Sequence, residues 1–154
     1  MAHPEAEIRA THDRFLATRA EIEREERPWA DLSAFFTEDA WYVDPAWGRV
    51  QGLSAVQEFL EASMRGLENW TFPTQWTLVD GDRLVSCWMN RLPGKREDGT
   101  YYEAPGISTF DYAGEGRFAS CYDLLNMVHI RELIVESGWQ PGPGAVAPPR
   151  NPAR

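Results

Sequence analysis

Hydrophobic positions recur at helical spacing in the first part of the chain and at strand spacing in the second. Over 5–26, Ile8, His12, Phe15, Arg19 and Ile22 fall on one helical face, while Glu21, Glu23, Glu25 and Glu26 keep the C-terminal part polar. Pro4 suits a first helical position, and Glu5 and Glu7 suit the positive end of a helix dipole. Pro28 breaks this helix and starts a short second one that turns Trp29, Leu32, Phe35 and Phe36 inward. The run Ala40–Asp44 reads as a strand ended by Pro45, followed by a loop through Gly48 and Gly52. A third helix is predicted over 53–67 from Leu53, Val56, Leu60, Met64 and Leu67, with Ser54 and Gln57 resembling a capping box.

The period changes at residue 70. Segments 70–79 and 83–92 read as strands joined by the hairpin turn Asp80-Gly81-Asp82. A charged loop at 93–99 leads to a strand over 100–112, and the turn Ala113–Gly116 leads to a last strand over 117–125. A terminal helix over about 127–137 stops at Gly138. Residues 140–154 hold five prolines and almost no apolar side chain, so the chain divides into a domain at 1–139 and a Pro-rich tail at 140–154 expected to lack order. Helices first and an antiparallel meander afterwards define an α+β domain whose helices cover one sheet face. The strands carry apolar side chains at both parities, Trp88 and Met89 for example, so the second face needs its own cover; a homodimer is expected.

Composition narrows the function classes. The net charge of −9 argues against a nucleic-acid partner or an anionic membrane surface. Cys87 and Cys121 lie in apolar strand-like runs and form no C-x-x-C, so both are expected to be buried thiols in a reducing cytoplasm. The N-terminus lacks the basic and apolar regions of a secretory signal, and no run reaches membrane-spanning length. His3, His12 and His129 are scattered without paired spacing, so no metal site is expected. The glycines of 113–116 precede no helix and read as a hairpin turn rather than a phosphate loop. Seven Trp, seven Phe and five Tyr furnish aromatic walls for a core or a ligand pocket.

The stretches FFTEDAWYVDPAWGRVQGLSAVQEFL (35–60) and EAPGISTFDYAGEGRFASCYDLLNM (103–127) resemble the nuclear transport factor 2-like superfamily, and within it the SnoaL-like polyketide cyclases and ketosteroid isomerases. That resemblance implies a cone-shaped, strongly curved antiparallel sheet with helices on its concave side, a cystatin-like architecture. It also implies cofactor-independent chemistry on a small hydrophobic, polyketide- or terpenoid-like molecule by a cyclase, isomerase, dehydratase or hydrolase. One fold hosts many chemistries, so three readings stay open: such an enzyme, a non-catalytic apolar-ligand-binding or dimerisation domain, and an accessory subunit of a larger complex.

By the resemblance, Asp44 stands where the isomerases carry a proton-shuttling aspartate, although an aspartate before Pro45 also reads as a plain strand-ending turn residue. Asp123 matches the late-strand aspartate of the cyclases and epoxide hydrolases; the alternative is a buried aspartate with structural hydrogen bonds. Two carboxylates from different strands can divide acid and base roles. Tyr42, Trp47, Asn90 and Ser108 are the candidate substrate-binding residues. Tyr42 shares strand parity with Asp44, Trp47 and Trp41 bracket it, and Asn90 lies in an otherwise apolar strand. The family pattern is departed from at three places. Phe15 stands where the isomerases have a tyrosine donor, Ser108 stands at or near their protonated aspartate, and Gly106-Ile107-Ser108 replaces the Arg-x-Asp of the epoxide hydrolases.

Overall fold

The computed structural model describes residues 2–154. In chain order the elements are α1 (Glu5–Glu23), a 3₁₀ segment (Trp29–Phe35), β1 (Phe36–Asp44), β2 (Gly48–Gln51), α2 (Leu53–Met64), β3 (Thr74–Asp80), β4 (Arg83–Lys95), β5 (Tyr101–Gly114), β6 (Arg117–Leu125) and α3 (Met127–Ser137). The six strands form one open sheet in the order β2-β1-β6-β5-β4-β3. Every neighbouring pair is antiparallel except β1 and β6, which run parallel, so the sheet is mixed rather than purely antiparallel. Over 84–93 of β4 and 104–114 of β5, buried positions alternate with half-exposed or exposed ones, which assigns one face to the core and the other to the outside.

Turn chemistry sets these boundaries. Asp80 pairs with Arg83 across Gly81, which has φ of +58°. Asn126 caps α3 by accepting from the backbone N–H groups of Val128 and His129, and Gly138 closes it in the left-handed conformation.

Several expectations are corrected. The four-residue β2 occupies what reads as a loop, because Gly48 turns the chain back so that residues 48–51 pair with 41–44. Pro4 precedes α1 in an extended conformation instead of opening it. The expected capping box on α2 is absent: the N-cap is Gly52, φ +89°, which places Ser54 inside the first turn. α2 ends at Met64 because the chain becomes extended at Arg65 and left-handed at Gly66. The segment before residue 74 pairs with β4 only through an isolated bridge from Thr71 to Arg91 and the Pro73 carbonyl, which accepts from the Met89 N–H at 3.0 Å. Cys121 is fully buried, whereas Cys87 is half-exposed on the outer sheet face. Apart from these corrections, residues 140–154 contain neither helix nor strand; Gly142 N–H donates to the Gly66 carbonyl at 2.8 Å and Arg49 N–H to that of Ala153 at 2.8 Å.

The main core joins Ile8, Phe15 and Ile22 of α1 to Phe36 and Tyr42 of β1, Val56 and Phe59 of α2, and Phe110 and Phe118 of the sheet. A second cluster gathers Trp70, Leu92, Ala104, Ile130 and Leu133 under α3. No helix among the described residues is long and apolar enough to cross a membrane.

Candidate active site

Side chains on the inner sheet face converge on one carboxylate. Asp123 lies on β6, opposite Ser108 of β5, and β1 runs beside it on the other side. The Tyr42 hydroxyl donates to Asp123 Oδ2 at 2.6 Å, and the Ser108 hydroxyl donates to Oδ1 at 2.5 Å. The Cys121 thiol approaches Oδ1 at 3.5 Å. Behind Ser108, the Trp88 indole N–H donates to its Oγ at 2.9 Å, which turns the serine's own proton towards Asp123. Gly106 is required beside it: a Cβ there would stand 2.6 Å from the Trp88 ring, so only glycine lets the indole lie flat on the sheet.

Burial sets the electrostatics. Loss of water pushes the Asp123 carboxyl up to about 6; hydrogen bonds from Ser108 and Tyr42 oppose the rise, and the charge of Asp44 adds to it. Tyr42 and Cys121 are raised well above their ordinary values by burial and then by the neighbouring Asp123 charge, so both stay protonated donors. The cluster is therefore an acceptor near neutrality held by neutral donors.

Asp44 is organised differently. Its Oδ1 accepts from the backbone N–H groups of Ala46 and Trp47 at 2.7 and 2.8 Å, a turn closed on itself. Burial raises its carboxyl, and those two N–H groups pull it back. The two aspartates are thus electrostatic neighbours in different structural states. Trp47 packs against Phe59 of the core, with ring centroids 6.4 Å apart. Trp41 faces away and stacks with the Arg49 guanidinium at 4.5 Å. Asn90 is buried on the inner face of β4, and its Oδ1 has no hydrogen-bond partner among the described residues.

One residue of this neighbourhood carries no mark in the sequence beyond its helical face. Arg19 of α1 is only 15% exposed. Its Nη2 donates to the Phe72 carbonyl at 2.6 Å and to Thr74 Oγ1 at 3.2 Å, and its Nε lies 3.6 Å from Glu23 Oε1. Burial lowers its pKa, while Glu23, Tyr42, Asp123 and Cys121 act to raise it, so its charge is felt by the Asp123 cluster. Glu23 is raised by burial despite the Arg19 charge and the Phe72 N–H. His12, against Phe15 and Phe110, is lowered by burial to about 4 and stays neutral.

A cavity of about 440 Å³ opens between the C-terminal ends of α1 and α2, the 3₁₀ segment and the approach to β3; Ile22, Glu23, Trp29, Met64, Leu67 and Trp70 are in its wall. Neither Asp44 nor Asp123 is in that wall. Trp29 leads inward from it through edge contacts, to Phe72 at 5.9 Å and from Phe72 to Trp88 at 5.8 Å. No group of three or more His, Cys, Asp or Glu side chains among the described residues is placed to hold a metal ion.

The chain belongs to the SnoaL-like domain family, whose model matches residues 6–121. A comparison with curated proteins returns no match. Among solved structures it is similar to a Shewanella putrefaciens CN-32 protein described as a SnoaL-like polyketide cyclase (TM-score 0.65, 15% identity, 87% of this chain and 88% of that one). It is also similar to an epoxide hydrolase of the LEH-like kind from M. tuberculosis (TM-score 0.63, 15% identity, 86% and 93%). A de novo designed protein with a curved β-sheet fits nearly as well (TM-score 0.62, 11% identity, 88% and 98%). At these identities the likeness establishes the fold alone.

Proposed function

We propose that this chain is a cofactor-independent enzyme that moves a proton on a small hydrophobic substrate, in a cyclase, isomerase, dehydratase or hydrolase reaction, with Asp123 as the general base. The observation that supports this reading best is a carboxyl raised to about 6 on the apolar inner face and held by two hydroxyl donors. A general base is most effective when its pKa lies near the working pH. Tyr42 and Ser108 spend their single protons on the carboxylate and so fix its position. Asp44, tied into its turn, acts through its charge, which keeps Asp123 basic. Trp47 adds an aromatic wall and Asn90 a buried amide that can hydrogen-bond a substrate, and the polyketide- or terpenoid-like class of substrate is the one that suits aromatic walls.

Within this reading the protein works in the cytoplasm as a homodimer, with no nucleic-acid or membrane partner. The second reading is a binding module that only holds an apolar ligand. It is favoured by one observation: the wall of the 440 Å³ cavity includes neither aspartate.

The deciding experiment follows hydrogen-to-deuterium exchange at the α-carbons of a panel of small hydrophobic ketones by NMR. The enzyme reading expects catalysed exchange that falls about a hundred- to ten-thousand-fold in Asp123→Asn. Binding without exchange in the wild type supports the module.

A further inference from the structure

The 440 Å³ cavity between the ends of α1 and α2 is acidic and aromatic at once. Its wall carries five glutamates against two arginines. Arg27 is committed to Asp31 at 2.8 Å and Glu21 at 3.2 Å, both outside the wall. Glu26 is paired with Arg24 at 2.9 Å, and Glu23 lies 3.6 Å from Arg19. Counted with these outside partners, seven acids face four arginines, an excess of three negative charges. Glu61 and Glu68 spend one oxygen each on a backbone N–H, of Ala30 at 3.1 Å and Gly66 at 3.2 Å, and make no ion pair among the described residues. Trp29 and Trp70 stand in the same wall. Elsewhere the chain lays its own cations on aromatic rings, Arg49 over Trp41 at 4.5 Å and Arg91 over Tyr101 at 3.8 Å; among the described residues none lies over Trp29 or Trp70. Trp70 is 4% exposed, and its Nε1–H has no acceptor among the described residues. Trp139 meets its ring edge-on at 5.0 Å, which fixes the indole without offering it an oxygen. A buried donor left unpaired is costly, so this N–H is a group for a ligand to satisfy.

Each feature selects part of a ligand. A cleft lined by one sign of charge gathers counter-ions and repels ions of its own sign, so cations collect here and carboxylates do not. The acids are spread along the wall, and no group of three among the described residues is placed to hold a metal ion, which suits a bulky cation better than a compact one. Tryptophan is the aromatic ring that attracts cations best, and alkylated ammonium ions are the ones such rings recognise. Ile22, Met64 and Leu67 give the ligand's carbon an apolar surface. The Trp70 N–H asks for an oxygen. We propose that this cavity binds a small organic ammonium ion, tertiary or quaternary, that carries an oxygen acceptor. The ammonium group lies against Trp29 among the glutamates, and the oxygen accepts from Trp70 Nε1–H. Neither Asp44 nor Asp123 is in the wall, so the site stands apart from the reading of Asp123 as a base.

The test compares choline with 3,3-dimethylbutan-1-ol, which has the same shape with carbon in place of the charged nitrogen. Binding to the full chain is followed by NMR of the indole N–H signals, with Trp29 and Trp70 assigned by their loss in Trp29→Phe and Trp70→Phe. Choline should move both signals, carry the Trp70 proton downfield, and bind about tenfold more tightly than the neutral alcohol. Tetramethylammonium, which has no oxygen, should move Trp29 and leave the Trp70 proton without the downfield shift. Glu25→Gln/Glu61→Gln/Glu68→Gln keeps an acceptor for the N–H groups of Ala30 and Gly66. This variant should weaken choline several-fold and leave the alcohol unchanged. If it does not fold, added salt makes the same comparison in the wild type: it should weaken choline and spare the alcohol. Equal affinity for choline and the alcohol overturns the cation site, as does failure of millimolar choline to move either signal. A Trp70 proton that answers choline no differently from tetramethylammonium overturns the oxygen contact.

Discussion

The Tyr42 hydroxyl reaches Asp123 Oδ2 at 2.6 Å across 81 residues of sequence, joining β1 to β6, the one parallel pair of the sheet. The bond stabilises the ionised carboxylate from a neighbour that cannot itself ionise near neutrality. Tyr42→Phe removes a charge-assisted donor whose loss costs on the order of 1.5–3 kcal/mol at a pH where Asp123 is charged. It should also raise the Asp123 midpoint further, because a bond that opposed the rise is gone. Chemical denaturation at pH 8 and at pH 5 checks this: the loss should be larger at pH 8.

Asp44 and Asp123 interact through charge alone. Asp44→Asn keeps an oxygen to accept from the N–H groups of Ala46 and Trp47, so the turn should survive with little change in melting temperature. Removing its charge removes a contribution that raises Asp123, so the Asp123 midpoint should fall. An unmoved midpoint would show that Asp44 acts otherwise.

Two buried groups titrate in the same window with opposite signs. Asp123 is raised from 3.8 to about 6, so the native state binds more protons than the unfolded chain between those values and stability falls as pH rises through them. His12 is lowered from 6.5 to about 4, so the unfolded chain binds more protons there and stability is lost as pH falls. Each shift corresponds to roughly 3 kcal/mol across its window, at 1.36 kcal/mol per unit. The two slopes largely offset one another between pH 4 and 6. His12→Phe should therefore give a variant that, relative to wild type, loses stability with rising pH in this range, and Asp123→Asn one that gains it. Denaturant midpoints at half-unit pH steps read both.

How far the sequence foretells this arrangement depends on how local each signal is. The last strand and helix are legible to the residue, because glycines at 114 and 116 and the Asn126 cap mark their ends. The β1–β6 parallel pairing is not, since no local pattern announces a partner some eighty residues away. Tyr42 stands out by its strand parity with Asp44, and Ser108 and Asp123 by family resemblance. That two hydroxyls meet on one carboxylate, while Asp44 turns to its own backbone, follows only from register and the bend at Pro45. Arg19 stays hidden because a long cation on a helix stripe reads as one that reaches water; here Phe72 and Thr74 hold it inside.

The outer sheet face predicts assembly. Trp76 and Leu78 of β3 and Leu124 of β6 are 48%, 58% and 54% exposed, and half-exposed Val85, Cys87 and Ile107 lie on the strands between them. Residue pairings Trp76–Cys87 and Cys87–Ile107–Leu124 make this a continuous apolar row across four strands. A second copy of the chain is the expected cover. Light scattering at micromolar concentration should give twice the mass of 17.5 kDa. Trp76→Lys with Leu124→Lys should halve it without unfolding the domain. A monomer in the wild type removes the dimer.

The central claim concerns the proton affinity of one carboxyl, and it can be measured without a substrate. Titration of ¹³C-labelled aspartate carboxyls by NMR, with Asp123 assigned by its loss in Asp123→Asn, should place its midpoint near 6, well above the ordinary 3.8. A midpoint at or below 3.8 would mean that the hydroxyl donors outweigh burial and that Asp123 is a structural carboxylate. General-base catalysis at this site would then be contradicted.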